Sequence, residues 1–461
     1  MDDKQRGWVL PCVILASGFI LFLNLWARTL ENHDYLRYAE SAREMIRSGD
    51  WLIPHLNGKI YIDKPPLTIW LIALPSALYG NVTPFLARLP STVAAWMGII
   101  VAFLWIRKLY GRNVCGLVAA GVLLSSYEYF IQGRMAKTDI ILSGFILLSL
   151  FFFHLGYEAR RTRKVYLFIG LSWFCTGLGI LTKGPLLPLL SFLVILVFLI
   201  KEKELGLLVS RPFLLGYGVL IATALPWFLL FVHRVGWEPS IALVKQTQIL
   251  RRRAPVYFYF VQIWGQFFPW SLFLPFLSVG LWRQRRTLSA SRESFFIIWF
   301  VTMFIFLTLY KYRASRYLLP TLPPLAFLLG GMWKRRLGLF LAPFVIVILV
   351  WHGVDFYRVR QNLPQSSGLV LVEELKPVIG DAPLSAYHLD VYLLEKINFY
   401  LDRVVPVLRK EDHPTGKGLV LMPKKTYEDL QTRGDDAVSW AREIRYEEQN
   451  LVLIFSPEHR S

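Results

Sequence analysis

Cysteine is scarce in this chain, with three residues in 461, and histidine and methionine are nearly as rare at eight and seven. Cys12, Cys115 and Cys175 all lie inside apolar runs with no metal-ligand spacing. That excludes a disulfide framework and a thiolate metal centre, and leaves the three thiols as packing residues. His33 and His55 flank one loop, His233 begins another and His154 lies inside an apolar run, so they are scattered and share no ligand spacing. Acidic residues are outnumbered, 32 against 51 Lys and Arg, for a formal charge of +19. No internal repeat or low-complexity tract occurs, which excludes a solenoid or a disordered linker protein.

Hydrophobic residues make up 55% of the chain and aromatics 15%, with a mean hydropathy of +0.44. A soluble domain cannot bury that much apolar surface, so part of it faces lipid. The positive charge is uneven. Residues 353–461 hold 14 basic and 17 acidic side chains, leaving 37 basic against 15 acidic in the rest. A basic membrane portion with a nearly neutral tail points to lipid headgroups or an anionic substrate rather than to nucleic acid.

Runs long enough to span a bilayer occur near 8–28, 89–106, 113–131, 140–156, 165–181, 185–200, 212–232, 260–281, 294–310, 317–333 and 337–352, about eleven in all. The first, from about Trp8 to Trp26, is too long for a signal-peptide core and reads as a retained signal anchor. Basic clusters around Arg107, Arg160, Lys201, Arg283 and Lys334 alternate with these runs and fall on one side, the cytoplasmic one by the positive-inside rule, if residues 67–80 do not cross. That segment is short, follows Pro65-Pro66 and contains Pro75, so it reads as an interfacial or re-entrant helix. The expected fold is a polytopic α-helical membrane protein. Residues 1–352 form the membrane domain, with an outer loop at 29–88, and 353–461 form a small α/β extracytoplasmic domain. In that tail "GLVLV", "PLSAY", "VVPVL", "GLVLM" and "LVLIF" read as strands, alternating with helices such as "VEELKPVIG" and "TYEDLQTRG".

The outer loops should be poor in Lys and Arg, yet they carry Lys64, Arg134, Lys137, Lys183, Arg251-Arg252-Arg253, Lys311, Arg313 and Arg316. Their recurrence suggests a shared clamp for a phosphate or pyrophosphate. Carboxylates occur on the same face: Asp34 after the first run, Asp63 in "YIDKPPL" and Asp139 in "RMAKTDIILSG". Taken singly, Asp34 could be a surface partner of Arg37 and Asp139 a helix-start residue favoured by the dipole. Together with the cations, they suit transfer from a lipid-phosphate donor, with a carboxylate base and a stabilised leaving phosphate. In the stretch "ENHDYLRYAESAREM", Arg37, Glu40, Arg43 and Glu44 are expected to face solvent and headgroups, leaving Asp34 as the catalytic candidate.

Five motifs occur in order: "HDYLRYAESAREMIRSGDWLIPHLNGKIYIDKPPLTIWLIAL", "ARLPS", "GRMAKTD", "LTKGP" and "SRYLLPTLPPLA". Across roughly residues 1–335 they resemble the GT-C polyprenyl-phosphate-sugar glycosyltransferases. The similarity is greatest to the bacterial branch that holds the protein O-mannosyltransferases and the lipid A aminoarabinose transferase. The resemblance implies Asp34 as catalytic base and Asp139 as the second acidic position. It implies donor-phosphate contacts from Lys64, Lys183 and Tyr317, with Tyr61 preceding the acidic-Lys pair. Lys245 and Arg251 compete for the family's phosphate-binding arginine, and Arg251 is favoured because "RRRAPVYFY" keeps the "APxxxY" pattern. Two positions depart from the family: Tyr35 stands where Glu usually follows the first Asp, and Asp63-Lys64-Pro65 replaces "EKP". A divalent metal at Asp63 is therefore left open, and no other cofactor is implied.

The resemblance thus implies an inverting glycosyltransferase of the bacterial inner membrane, with its active site and tail extracytoplasmic. The donor would be an undecaprenyl-phosphate-linked sugar, and the acceptor a lipid A-like glycolipid, another glycan or a protein. The alternative is a flippase or transporter for the same lipids. It would need polar groups through the centres of the spans, whereas here the charges gather at one rim.

Overall fold

A computed structural model describes residues 7–31, 33–61, 63–238, 254–283, 293–333, 337–362, 368–409, 418–432, 440–446 and 449–455. The first membrane helix, α1 (Val9–Phe22), is followed by α2 (His33–Ser48), a two-stranded hairpin of β1 (His55–Leu56) and β2 (Lys59–Ile60), and α3 (Leu67–Tyr79). The hairpin turn Asn57-Gly58 takes positive φ at both residues, 53° and 72°, the geometry that Asn-Gly favours in a tight antiparallel connection. Long helices follow: α4 (Pro84–Tyr110), α5 (Asn113–Ser125), α6 (Tyr127–Gly133), α7 (Thr138–Glu158), α8 (Lys164–Lys183), α9 (Leu186–Glu202) and α10 (Arg211–Val235). Then come α11 (Phe258–Gln266), α12 (Leu274–Arg283), α13 (Ser294–Leu309), α14 (Leu322–Met332) and α15 (Leu337–Asn362).

Among the described residues, six helices are long and apolar enough to span a bilayer, or seven if α5 and α6 count as one broken span. Fewer helices pass that test than the eleven or so runs expected from the sequence, and the reasons are local. The run at 113–131 bends by 70° between α5 and α6. There the Ser125 and Ser126 hydroxyls donate back to the Gly121 and Val122 carbonyls at 2.6 Å. The Trp351 indole N–H donates to the freed Ser125 carbonyl at 2.9 Å, so the bend leaves that group satisfied inside the bundle. Residues 260–281 divide at Pro269, which cannot donate to a helical ladder, and residues 317–333 begin as a 3-10 turn, Ser315–Thr321, around Pro320. The last run, expected to end near 352, belongs to α15, which continues as helix to Asn362.

Small and hydroxylated residues let the helices approach. Gly216 of α10 packs on the Trp173 indole of α8, and Gly177 of α8 on Thr223. Between α7 and α8, Ser149 bonds Thr176 at 2.9 Å, and the Ser172 hydroxyl donates to the Ser149 carbonyl at 2.9 Å. These polar groups pair with one another, as hydroxyls between membrane helices do. The antiparallel α7–α8 hairpin sets up opposite rims. Glu158 at the end of α7 meets Lys108 from the end of α4 at 2.5 Å, while the start of α7 and the end of α8 meet at the other rim.

The C-terminal residues form α16 (Gly368–Ile379), β3 (Leu384–Ala386), α17 (Val391–Leu401), β4 (Leu419–Pro423), α18 (Lys424–Thr432), β5 (Trp440–Tyr446) and β6 (Gln449–Phe455). The sheet order is β3-β4-β6-β5, with β3 and β4 parallel and the other pairs antiparallel. "GLVLV" is the start of α16 rather than a strand: Leu371, Val372, Leu375 and Ile379 recur at helical spacing and are buried. Among the described residues "VVPVL" contributes only a single bridge, Val407 to Ala386, because Pro406 interrupts a longer pairing.

Candidate active site

The dipoles of α7 and α8 explain two site residues. Asp139 sits in the first turn of α7 and Lys183 in the last turn of α8, so each charge complements its helix end. The helices are antiparallel neighbours, which brings the two side chains into a buried ion pair. The Lys183 ammonium also lies 5.0 Å from the Tyr317 ring centroid, and Tyr317 is buried in the Ser315–Thr321 turn. Arg316 from that turn approaches Asp139 at 3.7 Å and Asp34 at 3.9 Å.

Asp34 lies in the first turn of α2, partly exposed, with the Lys137 ammonium 3.1 Å away. Burial pushes the Asp34 carboxyl up, but Lys137, Lys64 and Arg316 outweigh it and hold it at about 2. Asp34 is therefore a carboxylate at any physiological pH. One turn further along the same face come Arg37 and Tyr38. The Tyr38 hydroxyl accepts from Lys64, whose ammonium stands 4.9 Å from the Tyr38 ring centroid. Burial works against the Lys64 charge, but Tyr38, Tyr61, Asp63 and Asp34 together raise it above the ordinary lysine value.

Tyr61 is buried and donates to the Asp63 carboxylate at 3.2 Å. Asp63 is flanked by Lys64 at 3.7 Å and Arg37 at 3.8 Å, and the Arg37 guanidinium lies over the Tyr61 ring at 5.4 Å. This environment does not suit a cation. Among the described residues no group of three His, Cys, Asp or Glu side chains could hold a metal ion, and the neighbours of Asp63 would repel one.

Asp34, Asp139, Lys64, Lys183, Tyr317, Tyr61 and Asp63 thus share one rim. Arg251 lies outside the described residues. Three further residues join them. Lys137 and Arg316 belong to the outer-loop cations expected to form a phosphate clamp, but nothing in their local pattern marks their contact with Asp34. Arg37, expected to face solvent and headgroups, instead sits between Asp63 and Glu395. The expected solvent-facing role of its neighbours is corrected as well. Glu40 and Arg43 are 3% and 5% exposed because α17 covers that side of α2. Glu44 accepts from the Asn57 and Gly58 amides of the hairpin turn, at 2.5 and 3.1 Å.

Chemically, three carboxylates set among five cations can hold an anion and take up a proton beside it. The family model for dolichyl-phosphate-mannose-protein mannosyltransferases matches residues 63–229. The chain is 30% identical over 415 residues to undecaprenyl phosphate-α-4-amino-4-deoxy-L-arabinose arabinosyl transferase 1 of Pseudomonas fluorescens, covering 88% of this chain and 72% of that protein. It is 31% identical over 346 residues to the corresponding transferase of Pseudomonas aeruginosa, covering 71% of this chain and 60% of that relative's length. The fold superposes on the crystal structure of ArnT from Cupriavidus metallidurans bound to undecaprenyl phosphate, with a TM-score of 0.77 at 20% identity, over 97% of this chain and 98% of that one.

Proposed function

This chain belongs to the undecaprenyl phosphate-aminoarabinose arabinosyl transferase family of GT-C glycosyltransferases, and we propose that it moves a sugar from an undecaprenyl-phosphate donor to a lipid A-like acceptor. The observation that carries the reading is the convergence of Asp34, Lys64, Lys137, Asp139, Lys183 and Arg316 from five separate parts of the chain. Isolated headgroup-binding lysines would not surround two carboxylates.

Lys64, Lys183, Arg37 and Arg316 bind the donor phosphate, with Tyr61 and Tyr317 shaping the walls. An acceptor oxygen attacks the anomeric carbon, the bond from that carbon to the phosphate oxygen breaks, and undecaprenyl phosphate leaves with the electron pair. Asp34 takes the proton when the acceptor is a hydroxyl; an acceptor phosphate attacks without that help. At a pKa of about 2 Asp34 is a weak base. A bound phosphate changes this, because it shares Lys64 and Arg316 and adds a second anion, which raises the proton affinity of Asp34. Asp139 keeps Lys183 in place and charged through the ion pair.

The membrane arrangement belongs to the same proposal. About eleven crossings, some of them broken, leave α2 and α3 at the outer surface of the bacterial inner membrane. The Lys108–Glu158 rim is cytoplasmic, and the site and the C-terminal sheet are extracytoplasmic. A flippase is disfavoured, since the mid-helix hydroxyls of Ser149, Ser172 and Thr176 are bonded to one another rather than lining a path. The test is transfer of radiolabelled sugar from an undecaprenyl-phosphate donor to lipid A by the purified protein. Label movement to lipid A supports the reading; lipid translocation without transfer refutes it.

A further inference from the structure

The C-terminal helix α17 lies against α2, the helix that carries Asp34 and Arg37. Its face of Glu395, Asn398, Phe399 and Asp402, spaced by three and four residues, meets the α2 face of His33, Arg37, Glu40, Arg43 and Arg47. Two distinct kinds of contact result. Towards the far end of α2, Asp402 pairs with Arg43 at 3.1 Å and Arg47 at 2.7 Å, and Arg43 stacks on the Phe399 ring at 4.3 Å. These contacts dock one helix on the other and touch nothing in the site.

The Glu395 contacts differ. Its side chain is 5% exposed, with one carboxylate oxygen on the His33 ring Nδ1 and the other 3.9 Å from the Arg37 Nε. His33 immediately precedes Asp34, and Arg37 bridges from Glu395 to Asp63, which pairs with Lys64. A single buried carboxylate from the C-terminal domain therefore ends a chain of charges that leads to the phosphate clamp. The Asn398 side-chain amide adds a parallel link, donating to Asn57 at 2.7 Å in the hairpin turn that leads to Tyr61 and Lys64.

We propose that Glu395 is a positioning residue for donor binding: it holds the Arg37 guanidinium between itself and Asp63, over the Tyr61 ring, where it faces a lipid phosphate. The C-terminal domain is then a working part of the active site. Without Glu395, Arg37 loses one of its two carboxylate partners and closes on Asp63, drawing that carboxylate from Lys64 and Tyr61. The clamp loses a correctly placed cation, and binding of donor and transition state weakens alike. The proposal rests on the transferase reading above, and more narrowly on phosphate binding at this rim.

The test measures the Kd of undecaprenyl phosphate and the steady-state transfer kinetics of the full-length protein in nanodiscs. Glu395→Gln keeps the side-chain volume and removes the charge. It should raise Kd and the donor KM roughly tenfold and leave kcat within about twofold. In an Arg37→Ala background, Glu395→Gln should add less than about a twofold effect, because its target is gone. Asp402→Ala, which loosens the same helix pair away from the site, should leave Kd within about twofold of wild type. Equal Kd increases from Glu395→Gln in both backgrounds, or an Asp402→Ala effect as large as that of Glu395→Gln, would reduce Glu395 to a docking residue and overturn the proposal. A wild-type protein that binds undecaprenyl phosphate and transfers no sugar defeats the transferase reading while the coupling between Glu395 and Arg37 still decides this one. Failure of the wild type to bind undecaprenyl phosphate overturns both.

Discussion

Replacing Lys183 by Met should destabilise the protein markedly, and adding Asp139→Leu should largely restore it. Both side chains of this pair are buried, Lys183 at 6% and Asp139 at 5% exposure. Removing one member of a buried pair strands the other charge, which costs about 3–5 kcal/mol, whereas replacing both with apolar groups is often neutral. Here Arg316 remains 3.7 Å from Asp139 and is 39% exposed, so it compensates in part and the expected loss sits near the lower end, about 3 kcal/mol. For a chain of this size that lowers the unfolding midpoint by on the order of 5 °C. Intrinsic fluorescence can follow the transition in detergent, since the chain carries 16 tryptophans. The double variant should melt within about 2 °C of wild type while losing donor affinity. A Lys183→Met protein as stable as wild type, or a double variant no better than the single, would refute the view of this pair as a desolvated ion pair.

Lys137→Met should make donor kcat/KM sensitive to acid. The wild-type Asp34 carboxyl is held at about 2, below its ordinary 3.8, so its protonation lies outside the assay range. Without the nearest cation the burial effect gains weight, the pKa rises, and an acid limb enters the range of roughly pH 3–5. A pH–rate profile unchanged by the substitution contradicts the assigned cause of the shift. Lys64→Ala should raise the Kd for undecaprenyl phosphate by roughly 10- to 100-fold, as expected for loss of a charge-assisted phosphate contact, and a titration with that lipid checks it. Gly216→Val should impair folding: a Cβ at that position would lie 2.3 Å from Trp173 Cδ1, and overpacking of this kind costs typically 1–3 kcal/mol or more. Monodispersity on size-exclusion chromatography reads the outcome.

The polytopic helical character was legible because hydropathy alone forces apolar runs of spanning length into lipid-facing helices. The breaks were not, since the bend at Ser125-Ser126 depends on Trp351, 226 residues from Ser125, supplying a donor to the freed carbonyl. The "GLVLV" segment misled because five residues of mixed β-branched and Leu character fit either period until the buried positions further along are known. In the site, Asp34, Lys64, Asp139 and Lys183 could be singled out as charges near membrane boundaries within recognisable motifs. Their pairing could not, because it arises from the antiparallel packing of α7 on α8 and from the 3-10 turn that aims Arg316. Glu40, Arg43 and Glu44 looked solvent-facing because an amphipathic helix shows its polar face in sequence but not what covers it. The cover of Glu40 and Arg43 is α17, which lies more than 340 residues downstream, and Glu44 is held by the hairpin turn.

The central claim is that Asp34 serves as the base in sugar transfer at this rim. Its most direct test is Asp34→Asn in single-turnover transfer from an undecaprenyl-phosphate sugar to a hydroxyl acceptor, with undecaprenyl phosphate affinity measured on the same preparation. The account predicts a rate loss of roughly 10²- to 10⁴-fold with affinity kept within a few-fold. Full turnover by a well-folded Asp34→Asn protein contradicts it.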